Sequence, residues 1–402
     1  REKPTSLVLE RQREALVKSV EVAHERGRDE ARWEGTRAEA EPRTRDLTPL
    51  PLPLSRWDEP RWPLDLTPTK HEELATVAEA VLRKLLVTNN YDSVSNFISL
   101  YDAYERNSDP LCDVYRKYAP PIRPRKHTCV GLALELMKRW RGLDKDFPGF
   151  TGATALLSCE EAVVDVLEYV SAGDSPANIV MAEKEHVMVG VQIKIDGRSG
   201  LLLADPGYHV PRIVTVMTDR AYPHTGWFTQ SDEPHCRKEF NYTYNHQNSN
   251  YVEWHERQTR GNTIKNETSL VYAAKPYLDG INVTERRNLV YNFRSLLARD
   301  QKGHVIAGLY FPVGGRGKDD QFTLFFNNGT ETRKTKYKFA TFLDRKNITE
   351  SMSEEIELCN AQMNYKKGEL RKIICKVAKV MANQSFIDQV LEINDDICRM
   401  CL

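Results

Sequence analysis

Apolar and polar residues alternate in two distinct rhythms along this chain. From His71 to Val87, Leu74, Val77, Ala80, Val81, Leu85 and Leu86 keep helical spacing. A second, shorter helix is predicted over Val94 to Tyr104, a third over Val130 to Trp140 and a fourth over Glu160 to Val170. The rhythm then shortens. Val189, Val191, Ile193 and Ile195 alternate with Gly190, Gln192, Lys194 and Asp196, the period-two signature of a strand. The stretch from Asn178 to about Tyr277 reads as β-rich, punctuated by Asp196-Gly197 and Asp205-Pro206-Gly207. A helix over Thr284 to Ala298 is predicted next, then strands over His304 to Phe311, Gln321 to Phe326 and Lys336 to Phe342. Helices over Ser351 to Met363 and Leu370 to Ile393 close the chain. Helices, then strands, then a mixed tail predict an α+β fold.

The ends of the pattern set the expected domains. Residues 1–68 form a charged and proline-rich arm, disordered or partly helical. Pro49, Pro51, Pro53, Pro60, Pro63 and Pro68 fix φ and remove donors, so residues 48–68 read as an extended linker and folding is expected to begin near Thr69. Residues 69–175 form a helical domain, 176–280 a β-barrel-like domain and 281–402 a C-terminal α/β lid-like region.

Cys129 stands at the start of the third helix, after a segment rich in Pro, Arg, Lys and His. Unpaired amides and the positive end of the helix dipole favour a thiolate there, and the thiolate is the species that attacks a carbonyl. The ordinary fate of a free cysteine is to be a small buried apolar residue. The strands bear on the choice. Asp196-Gly197 is a type I′ hairpin signal; with Ile195 facing Arg198, paired positions sum to 393 and Asp205 faces Met188. His186, two residues from Met188 on the same face, then becomes a diagonal neighbour of Asp205. A one-residue slip would part them. In that register Asp205 orients the imidazole and His186 takes the Cys129 proton. Asp205 before Pro-Gly is equally a common turn former.

Two segments carry a family resemblance. His186-Val-Met-Val-Gly-Val-Gln-Ile-Lys-Ile-Asp-Gly-Arg198 and Leu201-Leu-Leu-Ala-Asp-Pro-Gly-Tyr208 resemble the His strand, turn and Asp segment of arylamine N-acetyltransferases. The resemblance implies the papain-like core that those enzymes share with transglutaminases. It implies Cys129 as acyl-accepting nucleophile, His186 as base and Asp205 as orienting group, with acetyl-CoA as donor and a small-molecule amine as acceptor. The cysteine segment, Arg125 to Gly131, departs from the family's Arg-Gly-Gly-x-Cys-Phe-Glu, and the Cys–His interval of 57 positions is nearer a transglutaminase-like core. A transglutaminase-like or peptidase-like thiol enzyme and a non-catalytic binding module therefore stay open.

Composition narrows the rest. The 402 residues are 40% hydrophobic and 28% charged, and 57 basic residues balance 57 acidic ones, which argues against nucleic acid as a partner. No apolar run reaches the length of a membrane span. The eight scattered cysteines do not form the dense framework of a small secreted domain, and six Asn-x-Ser/Thr sequons (Asn241, Asn266, Asn282, Asn328, Asn347, Asn383) are within chance, so a cytoplasmic setting is expected. No metal is expected: His235, Cys236 and His246 lack the remaining ligands of a tetrahedral site, and Cys398 with Cys401 is a lone terminal pair. Gly314-Gly315-Arg316-Gly317 lacks the Lys-Ser/Thr and helix of a P-loop. Tyr208, His209 and His127 lie close in sequence to the proposed catalytic residues.

Overall fold

A computed structural model describes residues 51–171, 184–233, 236–314, 320–329 and 332–399. The charged residues 1–45, Gly315 to Gly317, His235 and Cys401 lie outside them. Folding begins earlier than the proline content predicts. Leu52 and Leu64 are buried, Trp57 bridges Tyr277, and β1 (Leu64–Leu66) pairs in parallel with residues Ile193–Ile195. Proline removes donors only at its own positions, and Leu64 to Leu66 between Pro63 and Pro68 keep theirs.

Four elements follow: α1 (Pro68–Thr88), β2 (Tyr91–Asp92), α2 (Val94–Glu105) and α3 (Leu111–Lys117). Thr67 caps α1 by accepting from the Lys70 amide, and Pro68 occupies the first helical turn, where its missing N–H costs nothing. Then come α4 (Cys129–Trp140), α5 (Phe150–Ala153), β3 (Thr154–Glu160) and α6 (Val166–Ser171). The helix predicted over Glu160 to Val170 is corrected here: residues 154–160 are a strand, and only 166–171 are helical. Every residue of β3 is buried, so it lacks the alternation that marks a half-exposed strand.

β3 joins a curled, nine-stranded sheet with β1, β4 (His186–Ile195), β5 (Arg198–Ala204), β6 (Val214–Met217), β7 (Phe228–Glu233), β8 (Cys236–Tyr244), β9 (Tyr251–Arg260) and β10 (Thr263–Tyr272). Its order is β6-β5-β4-β3-β10-β9-β8-β7, with β1 added beside β4. These contacts are antiparallel apart from β1–β4. One face packs on α4 and the helical layer; the other encloses Met188, Tyr242, Val252 and Trp254.

A π-helical turn, Gly280–Glu285, runs into α7 (Arg286–Val290), and the chain then extends as β11 (Phe293–Arg299). The single helix predicted over Thr284 to Ala298 is thus broken at Tyr291. β11 is buried throughout, and its two arginines mimic the polar positions of an amphipathic helix. With β2, β12 (Val305–Pro312), β13 (Gln321–Asn327) and β14 (Thr332–Lys338) it makes a five-stranded antiparallel sheet of order β14-β13-β12-β11-β2. The strand predicted over Lys336 to Phe342 ends at Lys338, and a 3₁₀ turn takes Phe339 to Phe342. Helices α8 (Glu350–Gln362), α9 (Glu369–Ala382) and α10 (Gln384–Arg399) finish the fold. The predicted long last helix is two, divided at Asn383, whose side chain accepts from the Phe386 amide and starts α10. The protein is α+β. Among the described residues no helix is long and apolar enough to cross a membrane.

Candidate active site

The β4–β5 hairpin has the register its sequence dictates: Ile195 faces Arg198 and Val189 faces Ala204. Asp196 and Gly197 both have positive φ, 48° and 79°, as a type I′ turn requires. His186 begins β4, and Asp205 follows the last residue of β5. They meet: His186 Nε2 lies 3.0 Å from Asp205 Oδ2, and both side chains are 3% exposed. The other carboxylate oxygen, Oδ1, accepts the amides of Gly207 and Tyr208 at 3.0 Å each. The turn residues thus fix the acid, and the acid fixes the ring. Arg299 Nη1, buried, donates to Pro206 O at 2.7 Å and pins the turn from the second sheet.

Cys129 reaches the same point from the start of α4. It comes close to the His186 imidazole: a Cβ placed on Gly207 would lie 2.7 Å from both Cys129 Cβ and His186 Cε1. With Nε2 on Asp205, Nδ1 is the ring nitrogen left to meet a thiol proton. Burial opposes the imidazolium, yet the Asp205 charge and hydrogen bond, with the Cys129 contact, outweigh it and hold the His186 pKa well above its ordinary value. Gly207 shows how tightly the three are gathered. The same Cβ would stand 3.3 Å from Asp205 Oδ1. The glycine in Asp205-Pro206-Gly207 is needed for space. Tyr208 meets the imidazole edge-on at 4.8 Å between centroids and packs on Trp254 at 5.0 Å.

Several residues at this site carried no sequence signal. Thr128, the N-cap of α4, has an extended backbone but makes no side-chain bond to its own helix; its hydroxyl donates to Glu285 Oε2. Asn96 Nδ2 donates to the other oxygen of the same carboxyl. Burial pushes Glu285 up to about 7, against the pull of those two hydrogen bonds. Tyr91, joined through the His127 bridge to the approach to Cys129, keeps its proton: burial, then the proximity of Cys129 and Glu285, raises its pKa well above the ordinary range. Asn288 of α7 places Nδ2 3.8 Å from Cys129 Sγ. All of these contacts join residues that the sequence holds far apart.

Of the neighbours predicted from sequence, Tyr208 lines the imidazole. His127 packs instead on Gly131, where a Cβ would come within 2.4 Å of its Nδ1. Among the described residues no group of three or more His, Cys, Asp or Glu side chains is arranged to hold a metal. Comparison of the chain with protein-family models, with curated proteins and with solved structures finds no match.

Proposed function

We propose that Cys129, His186 and Asp205 form a thiol acyl-transfer centre on a papain-like core. The observation that carries this reading is the paired His186 and Asp205 gathered with Cys129, at a helix start, around Gly207. In the first half-reaction His186 Nδ1 takes the thiol proton. The sulfur bonds to the donor's acyl carbon, the leaving group departs with the proton from His186, and a thioester remains. In the second half-reaction an amine attacks the thioester, gives its proton to His186, and the Cys129 thiol is restored. The Asp205 carboxylate steadies the imidazolium. The resemblance of residues 129–208 to arylamine N-acetyltransferases makes acetyl-CoA the first donor to try and a small arylamine the first acceptor. A reactive thiol lasts longest in a reducing compartment, and the seven cysteines among the described residues are all free, which suits the cytoplasmic setting this reading takes.

One observation favours a second reading. Cys129 is only 3% exposed, so a donor must displace a partly exposed neighbour such as Tyr91, Tyr208 or Asn288 to reach the sulfur. A protein that keeps this cluster closed would be a binding module without turnover. The deciding experiment incubates the protein with acetyl-CoA and, separately, with a thiol alkylator, and maps the modified cysteine by mass. Acetyl on Cys129, discharged by added arylamine, is the expected result. Fast alkylation of Cys129 without acetylation indicates a transglutaminase-like or peptidase-like enzyme. Alkylation no faster than at Cys159 or Cys375 indicates the binding module.

A further inference from the structure

One short stretch, Thr284 to Asn288, grips both halves of the cluster. Thr284 Oγ1 donates to Lys184 O at 2.6 Å, just upstream of His186. Glu285 holds Thr128, the residue before the nucleophile. Asn288, three positions after Glu285 and so on the same side of the helix, has three acceptors around one nitrogen: Thr284 O at 3.0 Å, Glu185 O at 3.3 Å and Cys129 Sγ at 3.8 Å. An amide nitrogen carries two hydrogens, so the three acceptors compete. Thr284 O, the nearest, takes one. The second is divided between Glu185 O and the sulfur.

The division depends on the state of the sulfur. A neutral thiol is a weak acceptor and loses to a backbone carbonyl. A thiolate is charged, and hydrogen bonds to charged acceptors are about twice as strong as neutral ones. We propose that Asn288 is a thiolate-holding residue: its second amide hydrogen turns from Glu185 O to Cys129 Sγ when the proton leaves, and keeps the ionised sulfur against His186. The catalytic meaning of this contact rests on the acyl-transfer reading; the contact itself does not.

The test uses the full chain and two variants, Asn288→Asp and Asn288→Ala. Asn288→Asp keeps the shape but replaces a donor by a carboxylate beside the sulfur. Ionisation of Cys129 is followed by thiolate ultraviolet absorbance against pH, as the difference from Cys129→Ser, and folding is checked by thermal unfolding. The expected result is that Asn288→Asp moves the Cys129 titration upward by about one pH unit or more, roughly tenfold less thiolate at a given pH. Asn288→Ala moves it in the same direction by less, and serves alone where the Asp variant does not fold. Acylation by acetyl-CoA falls in Asn288→Ala in step with its lost thiolate, by less than the roughly tenfold expected of Asn288→Asp. A residue that merely tied α7 to Glu185 would lower the melting temperature and leave the titration in place; an unmoved titration overturns the proposal. The two readings separate cleanly. A wild-type Cys129 that never acylates, with a titration that still shifts in Asn288→Asp, sinks acyl transfer and keeps Asn288. Normal acylation with an unmoved titration does the reverse.

Discussion

The two sides of the Cys129 cluster are built in opposite ways. His186 and Asp205 come from one hairpin, nineteen positions apart, and a two-residue turn sets their meeting. Glu285 and Asn288 come from a helix 157 and 159 positions from the residues they touch, and no local rule sets theirs. The hairpin side is therefore fixed by short-range geometry, in which a slip of one residue would turn every side chain over. The helix side depends on how two sheets and a helical layer close around each other. The hairpin side therefore has little room to vary, and the helix side has more.

Substitutions can press on each side in turn. The largest effect belongs to the hairpin. If His186 is the proton acceptor of an acyl transfer, His186→Ala is expected to cut thioester formation on Cys129, followed by mass, by roughly 10³-fold or more. Retained acylation in that variant would mean that the hairpin contributes no chemistry. Gly207→Ala is next. Its methyl would wedge between Cys129 and His186, at 2.7 Å from each, without touching either reactive atom's identity. Acylation is expected to drop about 100-fold through misplacement, and denaturant unfolding to show a cost of about 1–3 kcal/mol from overpacking. A wild-type rate would show that the three residues tolerate separation.

The smallest effect tests the helix side and is read in stability. Glu285 is fully buried and its folded pKa, about 7, stands above the ordinary 4.5. The proton is therefore bound more tightly in the folded protein. The stability this contributes is whole below pH 4.5 and drains away as pH rises through about 7. Glu285→Gln mimics the neutral form: its amide oxygen can keep accepting from Asn96 Nδ2 while its Nε2 donates to the Thr128 hydroxyl. The variant is expected to lose less melting temperature than the wild type between those two pH values, a difference worth on the order of 1–3 kcal/mol. Parallel curves for the two proteins would show that Glu285 does not titrate there.

The same contrast explains what was readable in the chain. Alternation over Val189 to Ile195 and the Asp196-Gly197 turn specify β4, β5 and their pairing, and through it the contact of His186 with Asp205. The helix start at Cys129 was legible because Leu132, Leu136 and Trp140 mark one buried face. β3 and β11 were not. Both are buried on both faces, so neither alternates, and runs such as Phe293-Arg294-Ser295-Leu296-Leu297 look helical until their tertiary partners are known. Arg294 and Arg299 deepen the disguise: they look like solvent-facing charges, yet both are buried and donate to backbone carbonyls. Thr128 and Asn288 are ordinary polar residues in sequence, and only folding gives them a sulfur or a carboxyl to serve.

The strand Leu64–Leu66 has a practical consequence for anyone cutting this gene. A fragment begun at Thr69, where the prolines end, would strip away the neighbour of Ile193–Ile195 and leave backbone groups of the histidine-bearing strand without their mates. It would also discard Leu52 and Trp57, and with them the cover over Tyr277 and Tyr272. Any shortened version meant to keep the thiol cluster intact has to start ahead of Leu52.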